Sequence, residues 1–472
     1  MIKDRFKILT LGYGEQLIDQ IWSKVELKTD FDVIHIPHPS IKHQEFKNYS
    51  EDSFFLLFNE RPLLNQEVDI NYLCELEKNT EFTINNIILA DEHLKCLPYE
   101  MAIKYLSKAA ERLNIILKEN NPNVVISGFE GFHSSLSMMV CKKIGIPWYA
   151  IVYSAIPRGY VGFSSGPNSS FTKSFSSLPK KNRKKIAEAL CSKFYDESEN
   201  IDKISSKQNF FPKYTALSTH YNNFLFLLKR KMRRDFDPFT HRRLRASIVD
   251  YLRRLKNRIQ INKLDVCSKP PKNPYAFFGF HMQPEIGIDV WAPFFTDQIN
   301  TIMTISRSLP PSHMLVVKIH RIDADNWSNS ELQKIKKLPN VKLASASANT
   351  NSFIKNASLI FSIQGTIALE ACLYGKNVIS FGNTMYEDFS SLTTVSNLNN
   401  LPQLVQKSLQ TAKTPRSEVL LGIEKLLLRF GPGLSNDWSV VKKDNEISNF
   451  CYHLEKIKEA LMNGSMKFKN EQ

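Results

Sequence analysis

The chain has 472 residues, 42% hydrophobic and 23% charged, with 17 Gly and 22 Pro. That composition excludes disordered, collagen-like and small disulfide-stapled proteins, and the length calls for two large domains or about three average ones. Lys and Arg number 62 against 47 Asp and Glu, a formal charge of +15 that favours anionic partners without choosing among nucleic acid, an anionic membrane and phosphorylated small molecules.

In chain order, Phe6 to Leu11 reads as a short strand ending at Gly12-Tyr-Gly14, followed by helical spacing from Glu15 to Lys24. Phe31 to Ile36 is a second strand, stopped by Pro37 and Pro39. Tyr99 to Lys118 carries apolar residues at the helical period. Val124 to Ile126 is a strand, Ser127 to His133 a loop and Ser134 to Ile144 a helix. Gly145-Ile-Pro147 ends that helix before a strand from Trp148 to Tyr153. Strand, loop, helix, Gly-Pro stop and strand make the βαβ pattern of a parallel sheet.

The middle of the chain, Pro179 to Lys263, reads as basic helix with little strand signal. Between Lys229 and Arg258 there are twelve Lys or Arg against three Asp, interleaved with apolar residues such as Ile248, Leu252 and Leu255. A solvated helical arm is the plain reading; because apolar residues accompany the charges, a membrane-surface segment is the functional one. No recognised RNA module appears, so nucleic acid is not an expected partner. Ser268 to Pro274 reads as a linker.

Alternation then resumes. Tyr275 to Phe280, Met314 to Ile319, Val341 to Ala344, Ser358 to Ile363 and Val378 to Phe381 read as strands. Thr296 to Ser308, Asn351 to Asn356 and Ile367 to Tyr374 read as helices, the last capped by Gly375-Lys-Asn377. There is no internal repeat at a fixed short period. The fold expected is α/β, two Rossmann-like domains with a basic helical region between them: an N-terminal domain over 1–178, the helical region and linker over 179–272, a C-terminal domain over 273–445, and a terminal helix and tail over 446–472.

The seven cysteines (Cys74, Cys96, Cys141, Cys191, Cys267, Cys372, Cys451) are scattered and contain no CxxC pair. Reduced core thiols of a cytosolic protein are expected, not a zinc site or disulfides. Asp289, Asp297, Asp323 and Asp325 have no metal-ligand spacing, and no metal is expected. Residues Met1 to Lys7 lack the apolar core of a signal peptide, and no window approaches the ~18 apolar residues of a membrane span.

Four segments carry candidate chemistry. In Ile360 to Glu370, a core strand delivers Gln364-Gly365-Thr366 to a helix start, where backbone N–H groups and a hydroxyl suit a phosphate, and Glu370 lies one turn on, placed for ribose hydroxyls. The plain alternative is a capped helix behind a core strand. Val316 to Arg321 puts Lys318, His320 and Arg321 at a strand's carboxyl end, suited to a phosphate or merely solvated. Phe280 to Glu285 offers His281, Gln283 and Glu285, or only a turn fixed by Pro284. Ser127 to His133 offers Glu130 as a general base assisted by His133, or only a turn made by Gly128 and Gly131. Gly12-Tyr-Gly14 is not a complete dinucleotide fingerprint, because Leu17 stands where the third Gly belongs.

The second half resembles the bacterial capsule polysaccharide biosynthesis family of glycosyltransferase-like proteins. The matching run starts at Phe277-Phe-Gly-Phe-His-Met-Gln-Pro-Glu285 and passes through Phe295-Thr-Asp-Gln298, Leu309-Pro310 and Val317-Lys-Ile-His320. It continues with Asn340-Val-Lys-Leu343 and Ile354-Lys-Asn-Ala357, and ends with Gly365-Thr-Ile-Ala-Leu-Glu-Ala371 and Gly375-Lys-Asn-Val-Ile-Ser-Phe-Gly382. The first half matches in outline, as an acceptor domain.

The resemblance implies a GT-B architecture, with two Rossmann-like domains facing a cleft and a nucleotide-sugar donor held mainly by the C-terminal one. Some relatives transfer Kdo from CMP-Kdo, resembling the wider group of CMP-sugar transferases. There a His-Pro pair and a hydroxyl-bearing turn contact the CMP phosphate, and an acidic-acidic-Gly motif carries the base. His320 matches, with Arg321 in place of Pro; Thr366 matches the hydroxyl-bearing turn. Glu130-Gly131 matches in part, with Phe129 at the other acidic position.

The expectation is therefore a metal-independent glycosyltransferase of bacterial surface polysaccharide assembly, cytoplasmic or peripheral on the inner membrane through residues 229–258. No cofactor is expected beyond the donor. Glu130 and His320 are the catalytic candidates. His281, Gln283, Lys318, Arg321, Gln364, Gly365, Thr366 and Glu370 are the donor-binding candidates, and Gly12, Gly14 and His133 belong to the acceptor side. The acceptor is a lipid-linked sugar or glycan. Alternatives are a polyol-phosphate transferase, a nucleotide-sugar epimerase, or a non-catalytic export or scaffold protein, which the departures at Phe129 and Arg321 would allow.

Overall fold

Continuous apolar runs such as Tyr275–Gly279 and Val124–Ser127 have no polar face to offer water, so they belong in parallel sheets covered on both sides. A computed structural model of the chain places them in two sheets of six strands. The structure describes residues 5–11, 21–36, 65, 67–128 except 79, 82 and 92, 131–166, 178–196, 225, 228, 244–434 except 262, 263, 265, 284 and 322, and 443–463.

Two compact units result. The first takes the described residues of Met1–Leu178 and Leu428–Gln472 with Leu225 and Leu228; the second takes those of Pro179–Phe224 and Leu244–Leu427.

In the first unit, β1 (Lys7–Leu11), β2 (Asp32–Ile36), β3 (Val124–Ser127) and β4 (Trp148–Tyr153) pair in parallel in the order β2-β1-β3-β4. Strand β5 (Tyr160–Ser164) joins β4 antiparallel, and the short strand β12 (Gly431–Pro432) joins β5 antiparallel. Neither was anticipated; β12 comes from a distant part of the chain. The helix Tyr99–Asn120 stops where Asn121 takes a left-handed conformation and donates its N–H to the Leu117 carbonyl. The helix Phe132–Ile144 stops in the same way at Gly145, where the φ of 78° favours glycine.

The helix expected over Glu15 to Lys24 falls largely on residues outside the described ones; the described helix there is Ser23–Lys28. The core of this unit draws on both ends of the chain. Trp22 meets Phe450 edge-on at 5.6 Å, Phe450 stacks on Phe163 at 6.3 Å, and Ile447, Leu454 and Ile457 of the C-terminal helix Asp444–Met462 are buried with them.

In the second unit, β6 (Tyr275–Gly279), β7 (Met314–Lys318), β8 (Val341–Ala344), β9 (Leu359–Ser362), β10 (Val378–Ser380) and β11 (Leu392–Thr394) form a wholly parallel sheet in the order β8-β7-β6-β9-β10-β11. Every residue of β6 is buried, as a central strand covered on both faces requires. Counted along the unit this order is 3-2-1-4-5-6, the doubly wound Rossmann arrangement. The expected linker is partly sheet: Cys267 bridges to Ala344, its N–H donating to the Leu343 carbonyl at 2.9 Å.

The cysteines correct one expectation. None of the seven is in a disulfide, but Cys74 and Cys96 are exposed and only Cys141, Cys191, Cys372 and Cys451 are buried.

Candidate functional site

In an open parallel sheet, ligands settle outside the carboxyl ends of the strands, where the strand order reverses. In the second unit that point lies between β6 and β9. The loop after β6 carries His281 and Gln283, and the turn after β9 carries Gln364 and Gly365. Neighbouring β7 ends at Lys318, in register with Gly279 on one side and Ala344 on the other. Sheet topology therefore gathers His281, Gln283, Lys318, His320, Arg321, Gln364, Gly365, Thr366 and Glu370 at one edge of one sheet.

His281 ties the two sides of the switch point together. Its ring is buried, and Nε2 accepts the Ile363 N–H at 3.2 Å, which places the neutral ring's proton on Nδ1. Burial, and then the charge that nearby His320 carries when protonated, lowers its pKa to about 4. Gly365 passes so close that a Cβ there would lie 2.6 Å from His281 Cε1. The Ile363 carbonyl is held from the other side by Ser380 Oγ (2.9 Å) and the Gly382 N–H (2.8 Å). The turn into the helix Thr366–Leu373 is thus fixed before any ligand arrives.

No side chain caps that helix at Gly365, and Thr366 is exposed in its first turn. The N–H groups of its first turn and its positive dipole end suit an anion. The corresponding helix of the first unit differs. There the Phe132 N–H donates to Asp91 Oδ2 at 3.2 Å, while Asp91 Oδ1 also accepts from the N–H groups of His93 and Leu94, each at 2.9 Å. One buried carboxylate already fills that N-terminus. His133 lies in this first turn, buried, and burial lowers its pKa to about 4 against the opposing pull of Asp91.

Lys318 is buried, its Nζ donating to the Ala346 carbonyl at 3.1 Å. Burial and then Arg321 lower its pKa to about 8. His320 is partly buried, and burial followed by the Lys318 charge lowers its pKa to about 4, so it is a neutral donor or acceptor at pH 7. Arg321 is exposed. Glu370 is partly buried, and burial pushes its pKa up to about 7. Gln364 is buried against Gly287, where a Cβ would come within 2.9 Å of its Oε1.

Gln283 is placed differently from a ligand donor. Its amide nitrogen donates to the Thr296 carbonyl (2.9 Å) and Asp289 Oδ1 (3.3 Å), and its Oε1 accepts from Gln298 Nε2 (3.0 Å). Its backbone N–H donates to Asp323 Oδ2 (3.1 Å), and its carbonyl accepts from Asn326 Nδ2 (2.9 Å). Gln298, fully buried, also clamps the backbone of His281, accepting its N–H (2.9 Å) and donating to its carbonyl (3.1 Å). Gln283, Gln298, Asp323 and Asn326 therefore hold the loop that presents His281. Gln298 stood in the family-like run without an assigned role; Asp323 and Asn326 carried no sequence signal, because their partner is 40 or more residues away.

Glu285 is also at this edge. Solvent reaches it, yet the surrounding protein and then the Asp289 and Asp323 carboxylates push its pKa up to about 7. Gly12, Gly14 and Glu130, with Phe129, lie outside the described residues.

No family model matches the chain. Among curated proteins it is similar to Protein FixF of Sinorhizobium fredii, 27% identical over 114 residues that make up 24% of this chain and 27% of that protein, so the chain spans about a quarter of that relative's length. Among solved structures it is similar to the β-Kdo 2,4 transferase of Thermosulfurimonas dismutans KpsC, with TM-score 0.36 and 10% identity over 64% of this chain and 79% of that one. The UDP-GlcNAc 2-epimerase of Neisseria meningitidis bound to UDP-GlcNAc gives TM-score 0.30 and 11% identity over 97% and 100%. A glycosyltransferase of Rickettsia africae gives TM-score 0.32 and 12% identity over 99% and 100%.

Proposed function

We propose that the chain is a glycosyltransferase of the GT-B type, which takes a sugar from a nucleotide donor at the second unit and passes it to a lipid-linked or glycan acceptor in bacterial surface polysaccharide assembly. The observation that carries the reading is the gathering of Lys318, His320 and the uncapped helix start at Gly365–Thr366 around the β6/β9 switch point of a 3-2-1-4-5-6 sheet. The motif resemblance of Phe277 to Gly382 supplies the reaction class.

In this reading the leaving phosphate rests on the helix N-terminus, with the Lys318 ammonium and the neutral His320 ring beside it. Positive groups fixed where the leaving group gains charge lower the barrier most. Glu370 accepts the ribose hydroxyls, and Glu130 of the first unit removes the proton of the attacking acceptor hydroxyl. The clamped loop of His281 keeps the site's shape in the absence of donor. Leaving-group stabilisation without a metal, CMP-Kdo as the donor, and work at the inner face of the plasma membrane belong to the same proposal. Among the described residues no helix is long and apolar enough to cross a membrane.

The test is transfer from CMP-Kdo and other nucleotide sugars to membrane acceptors, with product analysis. His320→Ala is expected to lose about 100-fold or more in turnover while remaining folded. Unchanged turnover would remove His320 from the mechanism, and a free epimerised sugar formed without acceptor would replace the reaction class.

A further inference from the structure

The helix Leu244–Ile261 is one described part of the basic middle region, and its charges are not all available to a partner. Arg253 donates to Asp250 Oδ1 (2.6 Å) and to the Asn326 carbonyl (2.8 Å) and Oδ1 (2.9 Å). Arg254 donates to Asp250 Oδ2 (3.2 Å) and Asp325 Oδ1 (3.1 Å) and lies 3.6 Å from Asp323 Oδ1. Asn257, buried, donates to the Asp325 carbonyl at 3.0 Å. With Asp250, these residues form the face by which the helix grips the 323–326 turn.

The opposite face is apolar and open. Ile248, Leu252, Leu255 and Ile259 are each 45–57% exposed, but Val249, also exposed, lies outside this stripe. At about 100° per residue the first four lie within roughly 60° of arc, and Lys256 and Arg258 flank them at about 80° on either side. Both cations are exposed. An apolar stripe bordered by two cations with long apolar stems matches the boundary between lipid tails and phosphate headgroups, where stems run along the tails and charges reach the phosphates. A second copy of the chain would instead set Lys256 and Arg258 against their own charge, in a molecule that already carries +15.

We infer that this stripe docks the protein on an anionic phospholipid surface: Ile248, Leu252, Leu255 and Ile259 enter the acyl boundary, and Lys256 and Arg258 contact headgroup phosphates. The inference deepens the peripheral location proposed above by naming its face, and its test needs neither donor nor turnover. Because Arg253, Arg254 and Asn257 hold the 323–326 turn, and Asp323 and Asn326 hold Gln283, the docked helix is hydrogen-bonded through two steps to the donor loop.

The full-length chain is sedimented with vesicles of phosphatidylcholine alone or mixed with phosphatidylglycerol. The wild type is expected to pellet with the mixed vesicles, less so at high salt, and to stay in the supernatant with phosphatidylcholine. A Leu252→Glu, Leu255→Glu double variant is expected to bind the mixed vesicles about tenfold more weakly, with little change in the unfolding midpoint because both side chains are about half exposed. A Lys256→Glu, Arg258→Glu variant is expected to lose the preference for phosphatidylglycerol.

A wild type that ignores both vesicles would overturn the inference, as would a Leu252→Glu, Leu255→Glu variant that binds like the wild type. A wild-type dimer that this variant turns into a monomer, with no vesicle binding, would assign the stripe to a second copy instead. If vesicle binding holds and no nucleotide sugar is used, the donor reading falls and the docking face stands.

Discussion

In the proposed function Lys318 meets opposing demands from stability and from binding. A buried ammonium at the end of β7 is an unfavourable charge for the fold, and burial with Arg321 brings its pKa to about 8. Between that value and the ordinary lysine value the unfolded chain binds the extra proton, so this group makes stability rise as pH climbs through that window. Lys318→Met is therefore expected to be about 2 kcal/mol more stable than the wild type at pH 7, with the difference shrinking toward pH 10; denaturant unfolding across pH checks it. The gain comes at the expense of binding. Lys318 must be protonated and Glu370, with a pKa of about 7, ionised for the assigned contacts to phosphate and ribose. Nucleotide affinity should thus rise with pH up to about 7 and fall above about 8. In titration calorimetry Glu370→Gln is expected to flatten the acid limb and Lys318→Met the alkaline one; limbs that persist in both variants would exclude these two groups.

At the scale of elements, the strand, Gly turn and helix at β9 are the part of the site most legible in the sequence. Its apolar run, its Gly and the Gly-Lys-Asn stop after its helix are all local signals, as are the fully buried strands β6 and β10. Space rather than backbone conformation reserves position 365 for glycine: its φ of −176° is extended, which any residue adopts, but a Cβ would strike the His281 ring. Gly365→Ala is expected to lose about 1–3 kcal/mol in thermal unfolding and to weaken nucleotide binding, because the ring must shift away from the Ile363 N–H. What the sequence could not show was contact across distance. Gln283 looked like a ligand donor because its loop sits at a strand end, yet its amide is consumed by Asp289, Thr296 and Gln298. Likewise Asp91, 41 residues before Phe132, carried no signal that it fills the helix N-terminus beside His133. The charge run was legible, but its division into paired Arg253 and Arg254 and exposed Lys256 and Arg258 required the docked helix.

At the scale of the whole molecule, the α/β class and two Rossmann-like units followed from alternating apolar runs, whereas the path of the chain did not. After the second unit the chain returns to the first, adding β12 to its sheet and Phe450 to its core. The terminal helix looked like an appendage because amphipathic spacing does not name the surface it covers. Phe450→Ala is expected to cost about 3–5 kcal/mol, seen as loss of the Trp22 and Phe163 environment in near-ultraviolet dichroism, although the residue lies far in sequence from the strands it packs on. The central claim, a nucleotide at the β6/β9 switch point of the second unit, is tested most directly by thermal unfolding with CMP, UDP, GDP, ADP and CDP, using the wild type beside Lys318→Met and Gly365→Ala. One nucleotide at ~100 times its dissociation constant should stabilise the wild type by about 2.7 kcal/mol and both variants much less. Equal stabilisation of all three proteins, or no shift with any nucleotide, would contradict it.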